Sequence, residues 1–170
     1  MAFRVCTRLP FFFISIKGEG MDIFQLLRQD HAEAVALLVE WVRLPEGSVG
    51  VEAWGRWTDR WEVHVRIEEN FLFPLLKDDP ELRRRLAQAV AAHSRIRKYI
   101  HDMPPYGESS HAWVDAVASL IESLDGLVDF EERRLFPRAR SYLPPDEAED
   151  LALEVLDFLQ GLRTALSAGS

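Results

Sequence analysis

From Met21 onward, apolar residues recur every three or four positions, while prolines, glycines and acidic pairs fall between the periodic stretches. That spacing belongs to helices that each bury one face. It predicts five of them: roughly 22–43, 51–77, 80–102, 110–141 and a last one starting near Pro145. The stops are Leu44-Pro45-Glu46-Gly47, Asp78-Asp79-Pro80, Pro104-Pro105 and Pro144-Pro145. Asp146 and Glu147 then fall in a first turn, where acidic side chains complement the helix dipole. Short connections make sequential helices antiparallel neighbours. The expected fold is therefore all-α, an up-down-up-down four-helix bundle with an additional C-terminal helix and no sheet.

One internal echo refines this. His64-Val-Arg-Ile-Glu68-Glu69-Asn-Phe-Leu-Phe73-Pro74 aligns with Leu127-Val-Asp-Phe-Glu131-Glu132-Arg-Arg-Leu-Phe136-Pro137, 63 residues later. A repeat of this size suggests two helical hairpins related by a pseudo-twofold axis. Proline near the end of helices two and four is unusual, because it removes an intrahelical hydrogen bond and kinks the chain.

The inward stripes carry polar residues. Helix one places His31 among Phe24, Leu27, Val35, Leu38 and Val42; helix two places His64 and Glu68 among Trp57, Trp61, Phe71 and Leu75. Helix three sets His93 among Leu82, Leu86, Val90, Ile96 and Ile100, and helix four sets Glu131 among Trp113, Val117, Leu120, Leu124, Leu127 and Leu135. Taken alone, His31 or His93 reads as a core histidine satisfied by a hydrogen bond, and His64 with Glu68 reads equally as an ordinary i,i+4 pair. Inward donors on all four helices read as a site. Unpaired buried carboxylates near imidazoles need a common partner, and a metal ion supplies one. Imidazole with carboxylate suits borderline divalent metals, iron first, with manganese and zinc as alternatives. Glu69 and Glu132 sit one residue off the stripe, solvated or supporting the ligands, although Glu132 could rotate inward. Trp54, Trp57 and Trp61 read as core filling, and His101 and His111, near helix ends, as surface residues.

Composition narrows the classes. The 170 residues, 48% of them hydrophobic, suffice for one domain with a substantial core. A net charge of −8 repels phosphate backbones and anionic lipid, so neither nucleic acid nor membrane is an expected partner. The single cysteine, Cys6, offers no internal disulfide or thiolate cage, and cytoplasm is the simplest location. Residues 1–20 differ from the rest. Their apolar run, Phe11 to Ile16, is too short for a convincing signal peptide, and no small-residue cleavage site follows. Lys17-Gly18-Glu19-Gly20 has purine-rich codons like a bacterial ribosome-binding site, so the expectation is an extension over 1–20, translation starting at Met21, and a bundle over 21–170.

Asp30-His31, His64-x3-Glu68-Glu69 with Leu72-Phe73-Pro74, His93, and Glu131-Glu132 with Leu135-Phe136-Pro137 together resemble the hemerythrin and HHE-domain family across Asp22 to about Arg140. The resemblance implies a four-helix bundle around a non-haem di-iron centre bridged by two carboxylates, used to bind or sense dioxygen, nitric oxide or iron. Glu68 and Glu131 (or Glu132) would bridge, and His31 and His64 would hold one metal. At the other metal the family uses two histidines one turn apart on helix three and another on helix four. Here only His93 stands, with Arg97 one turn later and Leu127 in the last position. Arg97, a permanent cation, is expected to pair with Glu131 or Glu132 and replace the second metal.

The expected function is binding or sensing of a small ligand such as dioxygen or nitric oxide at a partly degraded di-iron site holding one ion rather than two. No catalytic base, cofactor loop or nucleophile constellation appears elsewhere, which favours binding over turnover. The alternatives are a metal-free structural or protein-interaction bundle and an iron-dependent oxidase or peroxidase.

Overall fold

The computed structural model describes residues 20–44, 48–103 and 111–168. The segment before Gly20, where the separate extension was expected, lies outside them, as do the breaks at Pro45-Glu46-Gly47 and Pro104-Pro105. The described chain is helical, with no strand: α1 (Ile23–Arg43), α2 (Ser48–Ile67), α3 (Phe73–Leu76), α4 (Pro80–Asp102), α5 (His111–Phe130), α6 (Phe136–Arg140) and α7 (Pro145–Ala168). Two π-helical segments, Glu68–Leu72 and Glu131–Leu135, splice α2 to α3 and α5 to α6. The result is four antiparallel rods and a fifth helix, as the periodicity predicts. Among the described residues no helix is long and apolar enough to cross a membrane.

Local chemistry sets the starts. Asp22 closes a capping box with Gln25, each side chain accepting the other's backbone N–H at 2.9 Å. Asp79 accepts from the N–H groups of Glu81 and Leu82, with Pro80 at the first helical position.

The echoed prolines acquire a physical role. A proline inside an α-helix lacks its N–H, and its ring collides with the carbonyl four residues back. In both rods the turn before the proline opens instead. The N–H of Phe73 donates to the carbonyl of Glu68, and that of Phe136 to the carbonyl of Glu131, five residues back in each case. The extra residue rotates the rest of the rod. The uninterrupted 3.6-residue stripe places Phe71 and Leu75 inward on helix two, but after the π segment the core positions are Leu72, Phe73 and Leu76. Leu75 is 45% exposed, and half-buried Phe71 is covered from outside by Phe158 of α7, ring centres 5.1 Å apart. Val42 and Val90 likewise turn outward, and Trp41 and Ala89 fill those levels of the core.

This register shift is measurable. Leu72→Ala should destabilise the protein by about 2–5 kcal/mol, as for other buried leucines. Leu75→Ala should change it by less than about 1 kcal/mol, as expected at a largely exposed position. Equal losses in urea unfolding would mean that no π segment separates the two stripes.

Candidate metal centre

Each rod contributes to one level of the core. His31 comes from α1, His64 from α2, His93 from α4, and Glu68 and Glu131 from the first positions of the two π segments; all five are buried. One donor atom from each of His31, His64, Glu68 and Glu131 lies within 4.8 Å of the others. Two ligands on opposite sides of one first-row ion sit about 4.2 Å apart, so movements below an ångström close this set on a cation.

His93 approaches the same carboxylates, its Nε2 3.1 Å from Glu68 Oε2 and 3.5 Å from Glu131 Oε1. His31 Nε2 is 3.2 Å from Glu131 Oε2, and His64 Nε2 is 3.6 Å from Glu68 Oε2. These atoms crowd one another without the alignment of hydrogen bonds. The Nε2 atoms of all three histidines and all four carboxylate oxygens of Glu68 and Glu131 are buried with no hydrogen-bond partner among the described residues. Buried groups of this kind are ordinarily satisfied. Imidazoles that lose their protons to metal binding, with ionised carboxylates aimed at the same point, are the donor set of a divalent transition metal, so the residues fit such an ion.

The outward nitrogens are all taken. His31 Nδ1 meets Glu132 at 3.0 Å, His64 Nδ1 meets Asp30 at 2.8 Å, and His93 Nδ1 meets Glu69 at 2.9 Å. Each of these carboxylates is itself held by a guanidinium. Arg28 lies 3.8 Å from Glu132, Arg60 bonds Asp30 and reaches Glu33 at 2.7 Å, and Arg97 lies 3.5 Å from Glu69. A carboxylate on Nδ1 fixes the tautomer so that Nε2 carries the lone pair, as in metal sites generally.

Arg97 therefore departs from expectation. It does not enter the core against Glu131 or Glu132. Its side chain, 36% exposed, pairs with Glu62 at 3.2 Å and with Glu69, supporting His93 from outside. The reason is geometric: on α4 the residue four beyond His93 faces Glu62 of α2 and Glu69 of the π segment that follows it. Glu69 and Glu132 take the supporting position rather than the inward one. Asp30, part of the Asp30-His31 motif but without a role assigned from sequence, and Arg60, which the sequence did not single out, are the supports of His64. Arg60 lies one turn before His64, but the bond to Asp30 crosses helices, and spacing within one helix cannot specify it. His101 and His111 are exposed.

The pseudo-twofold relation now has atomic content. His31 meets Glu131 through Nε2, Glu132 through Nδ1, and stacks on Phe136 at 5.7 Å. His93 meets Glu68, Glu69 and Phe73 in the same way, the ring stack at 6.0 Å. The symmetry fails at the third histidine. The counterparts of Asp30, Arg60 and His64 are Ala92, Ser123 and Leu127, which border an open groove of about 550 Å³ between α4 and α5. One half of the core has two histidines, the other has one.

Electrostatics follow from burial and pairing. Burial alone pushes the His31 imidazole down, but Glu131, with Glu68 and Glu132, outweighs it and holds the pKa at about 9. His93 is raised to about 10 against the same opposition from burial, by Glu131 and Glu68. Burial pushes Glu131 up, yet His31, His93 and His64 bring it down to about 2. Glu68 is raised, by burial first and by the charge of Glu131 second.

The family model of the hemerythrin HHE cation binding domain matches residues 22–139, which include all of these side chains. No curated protein and no solved structure matches the chain.

A pH dependence is expected. The raised histidines stabilise the metal-free fold fully below their unfolded value of 6.5, and that contribution drains away as pH rises through about 9 and 10. The melting temperature of metal-free protein should thus fall between pH 6.5 and 10. With metal bound, those imidazoles are already deprotonated, so this decline should flatten and metal uptake at pH 7 should release protons. Parallel pH profiles for the two forms, with no proton release in weakly buffered solution, would contradict the assignment.

Proposed function

The chain belongs to the hemerythrin HHE cation-binding domain family, and from that premise we propose that it binds one non-haem iron ion and, through it, a small ligand such as dioxygen or nitric oxide. The observation that carries the reading is the set of three imidazole Nε2 atoms and four carboxylate oxygens converging, buried and without a hydrogen-bond partner among the described residues. His31 and His64 would hold the ion with Glu68 and Glu131, while Asp30, Glu132 and Glu69 keep the ring nitrogens turned inward. His93 would hold the carboxylates from the half that lacks a second histidine, with Glu132 as support rather than bridge. A bound metal supplies open coordination positions for a small ligand. The protein supplies orientation and exclusion of water, from an apolar shell that includes Trp61, Phe73 and Phe136. Manganese or zinc would suit the same donors. The same reading takes residues 21–170 as the working unit, in the cytoplasm, and the net charge of −8 supports the absence of nucleic acid and anionic membrane among its partners.

One observation favours a second reading. Protonated His31 and His93 against ionised Glu131 form a network whose charges partly compensate without any metal, which is what a purely structural bundle would need.

Metal analysis separates the two. Protein purified from iron-replete cells should carry about one iron per chain, lost in His64→Gln but retained in His101→Gln, and its optical spectrum should change on exposure to nitric oxide. No metal above the level of His64→Gln would leave the structural reading. Two irons per chain would refute the single-ion site, and sustained peroxide consumption would move the protein to the oxidase or peroxidase class.

A further inference from the structure

The chain has five tryptophans, at positions 41, 54, 57, 61 and 113, all of them among the described residues. All five indoles form one chain of ring contacts that begins on a candidate ligand. Trp61 stacks on His64 with ring centres 5.3 Å apart, and its edge meets His93 at 5.8 Å. Trp57 stacks on Trp61 at 6.2 Å and 6° between planes, and Trp54 stacks on Trp57 at 5.3 Å and 17°. Trp41 meets Trp54 at 4.5 Å and Trp113 at 5.8 Å. Trp41, Trp57 and Trp61 are buried, whereas Trp54 and Trp113 are half-buried and reach solvent. On α2 the series Trp54, Trp57, Trp61, His64, Glu68 alternates steps of three and four, so one helix face carries both the ligands and the indoles leading away from them.

Packing alone does not demand this segregation. Leucine and phenylalanine fill the remaining core, and indole costs more to bury because its N–H needs a partner. Trp57 meets that need by donating to the carbonyl of Ala34 at 2.9 Å, but Trp61 Nε1 is buried without a hydrogen-bond partner among the described residues. What indole offers over phenyl is oxidation potential: of the apolar side chains it gives up an electron most readily, and electron transfer between rings in van der Waals contact is fast.

We propose that the five indoles conduct oxidising equivalents from the metal centre to the protein surface, where a thiol or ascorbate-type reductant quenches them. This rests on the iron-binding function proposed above. The oxidant is a hydroperoxide meeting the ferrous protein. Its O–O bond breaks to give water and an alcohol, or two waters from hydrogen peroxide, taking up two protons from solvent and two electrons. One electron comes from Fe2+, which becomes Fe3+, and the other from Trp61, which becomes a radical cation and keeps its Nε1 proton, having no acceptor for it. Trp57 then reduces Trp61, Trp54 reduces Trp57, and Trp41 and Trp113 extend the path. The soluble reductant returns one electron to the indole at the surface. His64 and His93, the two histidines that Trp61 touches, are thereby spared oxidation.

The test maps where oxidation lands. Iron-loaded protein is treated with hydrogen peroxide without added reductant. Indolyl radicals are followed by freeze-quench electron paramagnetic resonance, and oxidised residues by peptide mass spectrometry. Wild type should show indolyl radical and oxidised Trp54 and Trp113. Trp57→Phe should lose oxidation at both, down to the peroxide-free level, and gain it at Trp61 and His64. If Trp57→Phe fails to fold, Trp54→Phe, altered at a half-buried position, should lose oxidation at Trp113. Iron-loaded samples that oxidise the same residues with and without the substitution would overturn the conduction path and leave the metal site standing. Wild-type protein that retains no iron would overturn both.

Discussion

Two carboxylates with no surface in contact with water, Glu68 and Glu131, set the terms for the rest of the molecule. Taking an ionised carboxylate into an apolar core costs several kcal/mol unless it is neutralised and its lone pairs are used. Here the surroundings bring up three imidazoles but no hydrogen-bond donor aligned to satisfy the oxygens. Every other polar feature of the core can be traced to that demand. The three histidines present Nε2 to it, three further carboxylates fix their Nδ1 sides, and three arginines hold those carboxylates, Arg60 within the core and Arg28 and Arg97 nearer the surface. A network built this way is stable only if its centre is filled by a cation or by protons, and the raised histidines and lowered Glu131 are the directions expected when protons fill it.

The backbone serves the same demand. Each of the two glutamates opens a π segment, and the phenylalanine that closes the segment stacks on the histidine whose Nε2 faces that glutamate. Proline immediately afterwards disfavours a regular α-turn, which holds the bulge in place. A short sequence, Glu-Glu followed by Phe-Pro, thus encodes a carboxylate facing the centre, a carboxylate supporting a ring nitrogen, an aromatic wall and a change of register. Repetition of that sequence gives the core its pseudo-twofold symmetry. The departure at Ala92, Ser123 and Leu127 removes one histidine with its whole support and leaves a groove in place of an arginine, an aspartate and an imidazole. The asymmetry is therefore built by several positions together and is not the effect of one lost ligand.

The helices, their order and the inward position of His31, His64, Glu68, His93 and Glu131 were legible in the sequence, because buried stripes and proline breaks are local patterns. The family match over residues 22–139 agrees with the motif order on which the resemblance was drawn. What was not legible depends on geometry across helices. The π segments shift Leu72 and Leu76 into the core where Phe71 and Leu75 fit the simple period, since one extra residue per turn leaves no mark in spacing except the proline that follows. Spacing alone, one turn from His93, points Arg97 at the core, yet rotation about α4 carries it to Glu62 and Glu69. Asp30 and Arg60 act through a contact between helices that no spacing announces.

The proposed single cation site lies on the side of His31 and His64. Anomalous diffraction at the iron edge, from crystals grown with ferrous iron under anaerobic conditions, would locate its ion. One peak per chain is expected, about 2.0–2.2 Å from Nε2 of both His31 and His64 and in contact with Glu68 and Glu131. An absent peak, or a second peak of equal height beside His93, would contradict it.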